Sequence, residues 1–530
     1  MLSQLLMTIK GAVLLFFAVH AFAYLLKRED ADWVKGAPLK IFVGFYCIGM
    51  LCHVVWLFYL AIFLAIPLYA KSRGGAAALY AIVYVAAPVT FYKMTLHGSY
   101  LMPANKYLFA TLGLMVAYLR NRDRGPKPRL LAHFDISMMI IVVLEISQAR
   151  DPDLNLMTRQ LIPILLNIVL PYYFLSRALT SWEDVRKFML ALALGGFVLA
   201  VVATCEAHLH WLLYKQLEAN LHATAQTNAF QQVRGGMIRS PVTFPESTSL
   251  GNFLALGGVA MLTMRSAFPT KQKWYFACAV MIVGLIAPNS RGAYFGIIIG
   301  YLAFDFYVKK WGPLFVKFAV VTALYTVGLV AASHSQFVAE MMGKGNASRG
   351  STDYRVRLFA RGMEEIHKHP MLGTTMKKAL DNLEDMRQGQ HIIDLVNGYI
   401  SYGLTLGYMG IIGLAGVFVT MCLAMLAARP RFNTNPIGRN AGALVFSVAL
   451  FMIPVIAFTS FGGETSTYFY IICALGSAVW ALRRVPVQQA GGEMAPAVAG
   501  PPIRALILAD REAARARRNA ANVHGTLEAG

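Results

Sequence analysis

The chain has 530 residues, of which 57% are hydrophobic and 14% charged, with a mean hydropathy of +0.53. A soluble globule of this size needs more polar surface than that, so a soluble fold is excluded. Lys and Arg total 48 against 27 Asp and Glu, a net charge of +21; in so apolar a chain the excess reads as membrane topology rather than as a nucleic-acid surface. The six cysteines all stand in apolar runs without CxxC spacing, which leaves redox and structural-metal chemistry without support.

Backbone polar groups in lipid must pair within their own helix, so each apolar run of about 17–25 residues predicts one spanning helix. Such runs lie near 9–26, 41–68, 76–95, 107–119, 130–148, 157–175, 188–206, 247–264, 274–288, 293–308, 314–332, 395–427, 441–459 and 466–482. The run at 41–68 is long enough for a tilted helix or a tight hairpin. The expected fold is an all-α polytopic membrane protein with about 12–14 transmembrane helices and one large helical external loop. Its regions are an N-terminal bundle (1–206), an external amphipathic segment (207–246), and helices flanking a Ser-Arg-Gly hairpin (247–332). A large external loop (333–394), C-terminal helices (395–483) and a basic, largely disordered tail (484–530) follow.

Short cytoplasmic loops carry excess Lys and Arg. With both termini inside, the segments Arg120 to Arg129, Arg265 to Lys273, Lys309-Lys310, Arg429 to Arg439 and Arg483-Arg484 fall on the cytoplasmic side. The mixed-charge stretch from Lys27 to Lys40 fits this poorly. The segments 207–246 and 333–394 are then external, and function belongs there. No Walker-type loop or dinucleotide fingerprint occurs, so nucleotide-driven chemistry and a cofactor have no sequence support.

Three external arginines stand at the membrane boundary. Arg239 opens Arg239-Ser-Pro-Val-Thr-Phe-Pro-Glu246. Arg291 lies in Pro288-Asn-Ser-Arg-Gly292, where the unpaired amides and dipole of the following helix favour a phosphate. Arg355 lies one turn into a helix predicted from Ser351 to His369, on the face of Leu358, Phe359, Gly362, Met363 and Ile366, with no acidic residue on the same stripe. Singly, each also reads as an arginine reaching for lipid headgroups. Together they suit a pyrophosphate, because a guanidinium donates two parallel hydrogen bonds to phosphate oxygens and keeps its charge.

These residues resemble the O-antigen ligase and Wzy-type O-antigen or exopolysaccharide polymerase superfamily. The resemblance rests on Arg239 to Glu246, Ser290-Arg291-Gly292, Arg355 with Phe359, His369-Pro-Met-Leu-Gly373, and Asn397-Gly-Tyr399 followed by Gly403, Gly407 and Gly410, in that order over roughly 235–415. It implies a metal-independent glycosyltransferase of the bacterial inner membrane with a periplasmic site. The donor would be an undecaprenyl-pyrophosphate-linked glycan, the acceptor another glycan, and membrane lipid, chain-length regulators and export proteins the further partners. Val396 stands where family ligases carry His, which favours a polymerase over a ligase that transfers to lipid A core; a flippase for the same lipids is a further alternative.

On this reading Arg239, Arg291 and Arg355 bind the pyrophosphate, and His391, Glu246 or Asp394 serves as base for the acceptor hydroxyl. Glu246 reads equally as a structural partner of Arg239, and His391 as a surface-loop histidine. Asn397 and Tyr399 either orient sugar hydroxyls or cap and anchor a helix. Glu464 is the remaining external carboxylate that could contact sugar.

Overall fold

The computed structural model describes residues 2–96, 99–121, 133–150, 154–221, 233–234, 237–342, 345–388 and 392–484. Helices dominate them. The first are α1 (Leu2–Leu25), α2 (Arg28–Lys35), α3 (Ala37–Leu51), α4 (Val55–Tyr69) and α5 (Arg73–Ala86). A hairpin of β1 (Phe91–Leu96) and β2 (Ser99–Asn105) leads to α6 (Lys106–Arg120), α7 (His133–Gln148), and α8 (Leu154–Ile164), which continues through one π-helical turn into α9 (Leu170–Ala178). Next are α10 (Trp182–Leu209), α11 (Lys215–Asn220), a two-residue pairing of β3 (Val233–Arg234) with β4 (Met237–Ile238), α12 (Ser247–Thr263), α13 (Lys271–Ile286), α14 (Arg291–Tyr307) and α15 (Trp311–Ala331). The elements α16 (Gln336–Met341), α17 (Asn346–Lys368) and α18 (Met376–Asn382) precede α19 (Gly398–Ala428), α20 (Pro436–Ile456) and α21 (Gly463–Leu482).

Among the described residues, 8 helices are long and apolar enough to cross a membrane, which fits an all-α polytopic membrane protein. The centre of the bundle is α10, 83% buried over its apolar window. It starts in a capping box, Ser181 Oγ accepting from Asp184 N while the Asp184 carboxylate accepts from Ser181 N. At the other extreme α15 buries no residue, the composition of a helix whose whole circumference meets lipid.

One sequence alternative is resolved and one expectation changes. The run at 41–68 is the hairpin of its two readings, α3 and α4 being separated by residues 52–54, whereas the run at 76–95 ends as helix at Ala86 and continues as β1. The extra crossing reverses the N-terminus. Gln4 Nε2 and Asn220 Nδ2 both donate to Met50 O, at 2.6 and 3.1 Å, which sets the start of α1 beside α11. At the other end of α1, Lys27 N donates to Ala267 O (2.8 Å) and Lys273 Nζ to Tyr24 O (2.7 Å). The two ends of α1 are thus on opposite faces, and its start shares the face of α11.

The C-terminal end of α21 reaches the other face, where Ser477 Oγ donates to Asp135 (3.3 Å) and Arg177 closes α9 just before the α10 cap. The start of the first described helix and the end of the last one are therefore on opposite faces, while Met1 and residues 485–530 lie outside the described residues. The poorly fitting segment Lys27–Lys40 is explained as well, since α2 lies on the basic face and its Asp30 accepts from Arg186 of α10 at 2.9–3.0 Å.

Helix α19 is broken. Gly407 has φ 64° and ψ −155°, a conformation only glycine adopts without strain. The break exposes backbone groups that the turn after α17 then satisfies: Thr374 N donates to Leu404 O (2.8 Å) and Tyr408 N to Pro370 O (2.7 Å). A Cβ on Gly407 would stand 2.3 Å from Pro370 O. The His369-Pro-Met-Leu-Gly373 motif is therefore a plug that completes a split helix, with Gly373 itself at φ +58°. His367 adds a clasp, its Nδ1 bonded to Met363 O (2.6 Å) and its Nε2 to the Tyr408 hydroxyl (3.0 Å).

A candidate pyrophosphate site where three external segments meet

The first segment, Arg239 to Glu246, is laid across the end of α5. Thr243 Oγ1 donates to Val85 O (2.7 Å) and Val89 N to Thr243 O (3.1 Å). Phe244 is fully buried against Tyr84 and Phe253. Beneath it, buried Lys106 donates to the final carbonyls of α5, Tyr84 O and Ala87 O, both at 3.0 Å, a cation at the negative end of a helix dipole. Glu246 ends the segment as the residue before α12.

Arg239 bridges to the second segment, the hairpin between α13 and α14. Its Nε donates to Pro288 O (3.0 Å) and its Nη2 approaches Thr248 Oγ1 (3.4 Å), while Ser247 Oγ donates to Arg239 O (3.1 Å). Arg291 begins α14 three residues beyond that carbonyl. Buried Asn252 of α12 faces the hairpin, its Oδ1 being 4.0 Å from where a Cβ on Gly292 would lie.

The third segment is the start of α17 with residues 392–397. Tyr354, Leu358, Gly362 and Ile366 form the buried stripe against Ile400 and Leu404. Arg355 flanks this stripe, and the anion missing from its neighbourhood in sequence is Asp394, whose carboxyl feels the Arg355 charge. Phe359, expected on the packed face, is 54% exposed, because the stripe runs at intervals of four and turns away from it. The opposite side of α17 holds ordinary pairs, Arg361 with Asp385 and Lys368 with Glu365, both at 3.0 Å.

The segments converge electrostatically. Glu246 is held above the ordinary carboxylate range, first by desolvation, then by the like charge of Asp394, with Arg239 opposing. Asp394 is raised by desolvation and drawn back by Arg355. Glu246 is thus within electrostatic range of Asp394 and Arg239, and Asp394 within range of Arg355.

Comparison with known families bears on this geometry. Residues 276–415 match the O-antigen ligase family, Wzy_C. The resemblance read from the motifs is borne out over that stretch, which contains Arg291, Arg355, Asp394, Asn397, Tyr399 and the broken α19, and leaves Arg239 and Glu246 upstream. Members of this family are glycosyl-transferring enzymes that work on lipid-linked glycans. A search of the curated proteins returned no match.

Other expected residues have definite places. Asn397 caps α19, its Oδ1 accepting from Ile400 N (3.1 Å), and the Tyr399 hydroxyl donates to Ile453 O of α20 (2.8 Å); the cap-and-anchor reading describes both. Glu464 is the second residue of α21, its side chain lying outside the described set, and His391 lies outside the described residues altogether. Among the described residues no group of three His, Cys, Asp or Glu side chains could hold a metal ion.

Two residues that sequence reading passed over support the site. The Tyr354 hydroxyl donates to Asp394 O (3.1 Å) and accepts from Asp394 N (3.0 Å), which fixes the backbone that presents the Asp394 carboxyl. The spacing 354, 358, 362, 366 was the available signal for it. Glu206, near the end of α10, receives three hydrogen bonds, from donors that no local sequence pattern signals.

Proposed function

We propose that the chain is a membrane glycosyltransferase that polymerises undecaprenyl-pyrophosphate-linked oligosaccharide repeats on the periplasmic face. The observation that supports it most is the electrostatic coupling of exposed Glu246 to Asp394 and Arg239, and of Asp394 to Arg355, cationic and acidic groups suited to a pyrophosphate leaving group and a hydroxyl nucleophile. The basic loops gather on the opposite face, and by the excess of positive charge in cytoplasmic loops that face is inside.

In this reading Arg239, Arg291 and Arg355 bind the donor pyrophosphate, with the first turn of α14 adding its dipole. The acceptor hydroxyl oxygen attacks the anomeric carbon, the sugar–phosphate bond breaks, and its electron pair leaves on the phosphate oxygen. The guanidinium charges stabilise that oxygen more in the transition state than before it. Glu246 takes the acceptor proton, its basicity raised by desolvation and by Asp394. The products are a longer glycan and undecaprenyl pyrophosphate. No cofactor or metal is required by these steps.

Lipid analysis of cells carrying Arg291→Lys tests the reading, with protein level and membrane insertion verified. Polymer should fall by about a hundredfold, on the scale of losing one oxyanion donor, while lipid-linked single repeats accumulate outside. Polymer of unchanged length and yield would refute the assignment. The description of the matched family favours a second reading, a ligase; accumulation of finished polymer on its carrier, unattached to lipid A core, would select it.

A further inference from the structure

We propose that Glu206 is a positioning residue for Arg239: it holds the strained segment that aims this guanidinium, and so sets pyrophosphate affinity without touching the substrate. The inference rests on the pyrophosphate reading of Arg239.

Glu206 is 2% exposed, and a carboxyl that deep is retained only where donors surround it. Leu213 N donates to Oε1 (2.8 Å), while Ser240 Oγ (2.5 Å) and Val242 N (3.2 Å) donate to Oε2. Oε1 therefore secures the turn that leaves α10, and Oε2 secures the two residues flanking Pro241. Val242 has φ 49°, a left-handed conformation costly for a β-branched residue that persists only when its surroundings impose it. The hydrogen bond from its own N–H to Glu206 supplies part of that restraint. Ser240, covalently next to Arg239, is fixed on its other side by Ser240 N donating to Ala287 O (3.3 Å). The Arg239 backbone is thus held from α10 below and from the hairpin beside it, which leaves the guanidinium against Pro288 O and Thr248.

A glutamine at 206 has one acceptor oxygen and one NH2 donor, so its NH2 must face either the Leu213 or the Val242 N–H. The geometry at Val242 then relaxes while side-chain volume stays the same.

The test measures binding of undecaprenyl pyrophosphate to the full-length protein in nanodiscs, with thermal unfolding recorded in parallel. Arg239→Lys should weaken binding about tenfold, and Glu206→Gln by about as much, the size expected from losing hydrogen bonds that fix a charged contact. Ser240→Ala, a gentler change that keeps the fold if Glu206→Gln does not, should weaken it about threefold. The decisive quantity is the coupling: Glu206→Gln combined with Arg239→Lys should bind no more weakly than Arg239→Lys alone. If the two losses multiply, Glu206 acts on the fold generally and the inference is overturned. If Arg239→Lys weakens binding but neither Glu206→Gln nor Ser240→Ala does, the inference is likewise overturned while the site assignment stands. If Arg239→Lys itself binds normally, the pyrophosphate reading of Arg239 fails, and the inference with it.

Discussion

Two clusters of arginine, carboxylate and tyrosine occupy opposite ends of the bundle, and they differ in how deeply their carboxyls are buried. On the basic face Asp135 receives Arg177 twice, Nη1 to Oδ1 at 3.0 Å and Nη2 to Oδ2 at 2.8 Å, together with the Tyr172 hydroxyl at 2.6 Å and Ser477 at 3.3 Å. Asp135 and Arg177 are 4% and 5% exposed. That cluster closes α7, α9 and α21 against one another. On the site face Glu246 and Asp394 are exposed, are held above the usual carboxylate range, and feel the charges of Arg239 and Arg355 respectively. Charges closed in by their neighbours hold structure; exposed carboxyls within range of arginines can exchange a proton beside a bound anion.

The comparison can be broken at either end. The largest effect is expected from Arg177→Met, which leaves Asp135 buried without its ion-pair partner and should cost about 3–5 kcal/mol of stability, seen as a large drop in melting midpoint in detergent. An unchanged midpoint would mean the basic-face cluster is not a lock. Arg355→Lys should do the reverse, keeping the melting curve while lowering transferase activity about a hundredfold, since lysine cannot reproduce the bidentate fork.

A smaller effect concerns pH. Glu246 accepts a proton only when ionised, and its raised pKa means that activity is lost as pH falls through a midpoint above about 4.3, the ordinary glutamate value. Asp394→Asn removes the like charge, so the residual activity should keep its acid limb but with the midpoint moved to lower pH. A limb that stays in place would separate Asp394 from Glu246. The smallest effect is expected from Arg361→Ala, where an exposed ion pair of the outer side of α17 is lost and neither melting nor activity should move measurably.

Much of the helical frame was legible in sequence, because an apolar run in lipid has few alternatives to a helix. Parity was not: nothing in the hydropathy of 41–68 distinguishes one tilted helix from α3 and α4, and that ambiguity reversed the side on which the chain begins. The Ser-Arg-Gly hairpin and the arginine before α12 were readable from local chemistry. The partner of Arg355 was not, since Asp394 lies across α18 and a long connection, and only the tertiary fold returns it to α17. The glycines of α19 signalled close packing, but the split at Gly407 and its filling by the Pro370 turn depend on two segments at once. Glu206 escaped notice for a similar reason, its three donors coming from residues 213, 240 and 242.

The central claim is that the open cluster on the site face, and not the closed one, carries the transfer chemistry. Its most direct test is release of undecaprenyl pyrophosphate by the full-length protein in liposomes fed the lipid-linked glycan of its own host membranes. Glu246→Gln with Arg355→Lys should leave the protein folded and nearly abolish release. Release at the unaltered rate from that folded variant would contradict the account.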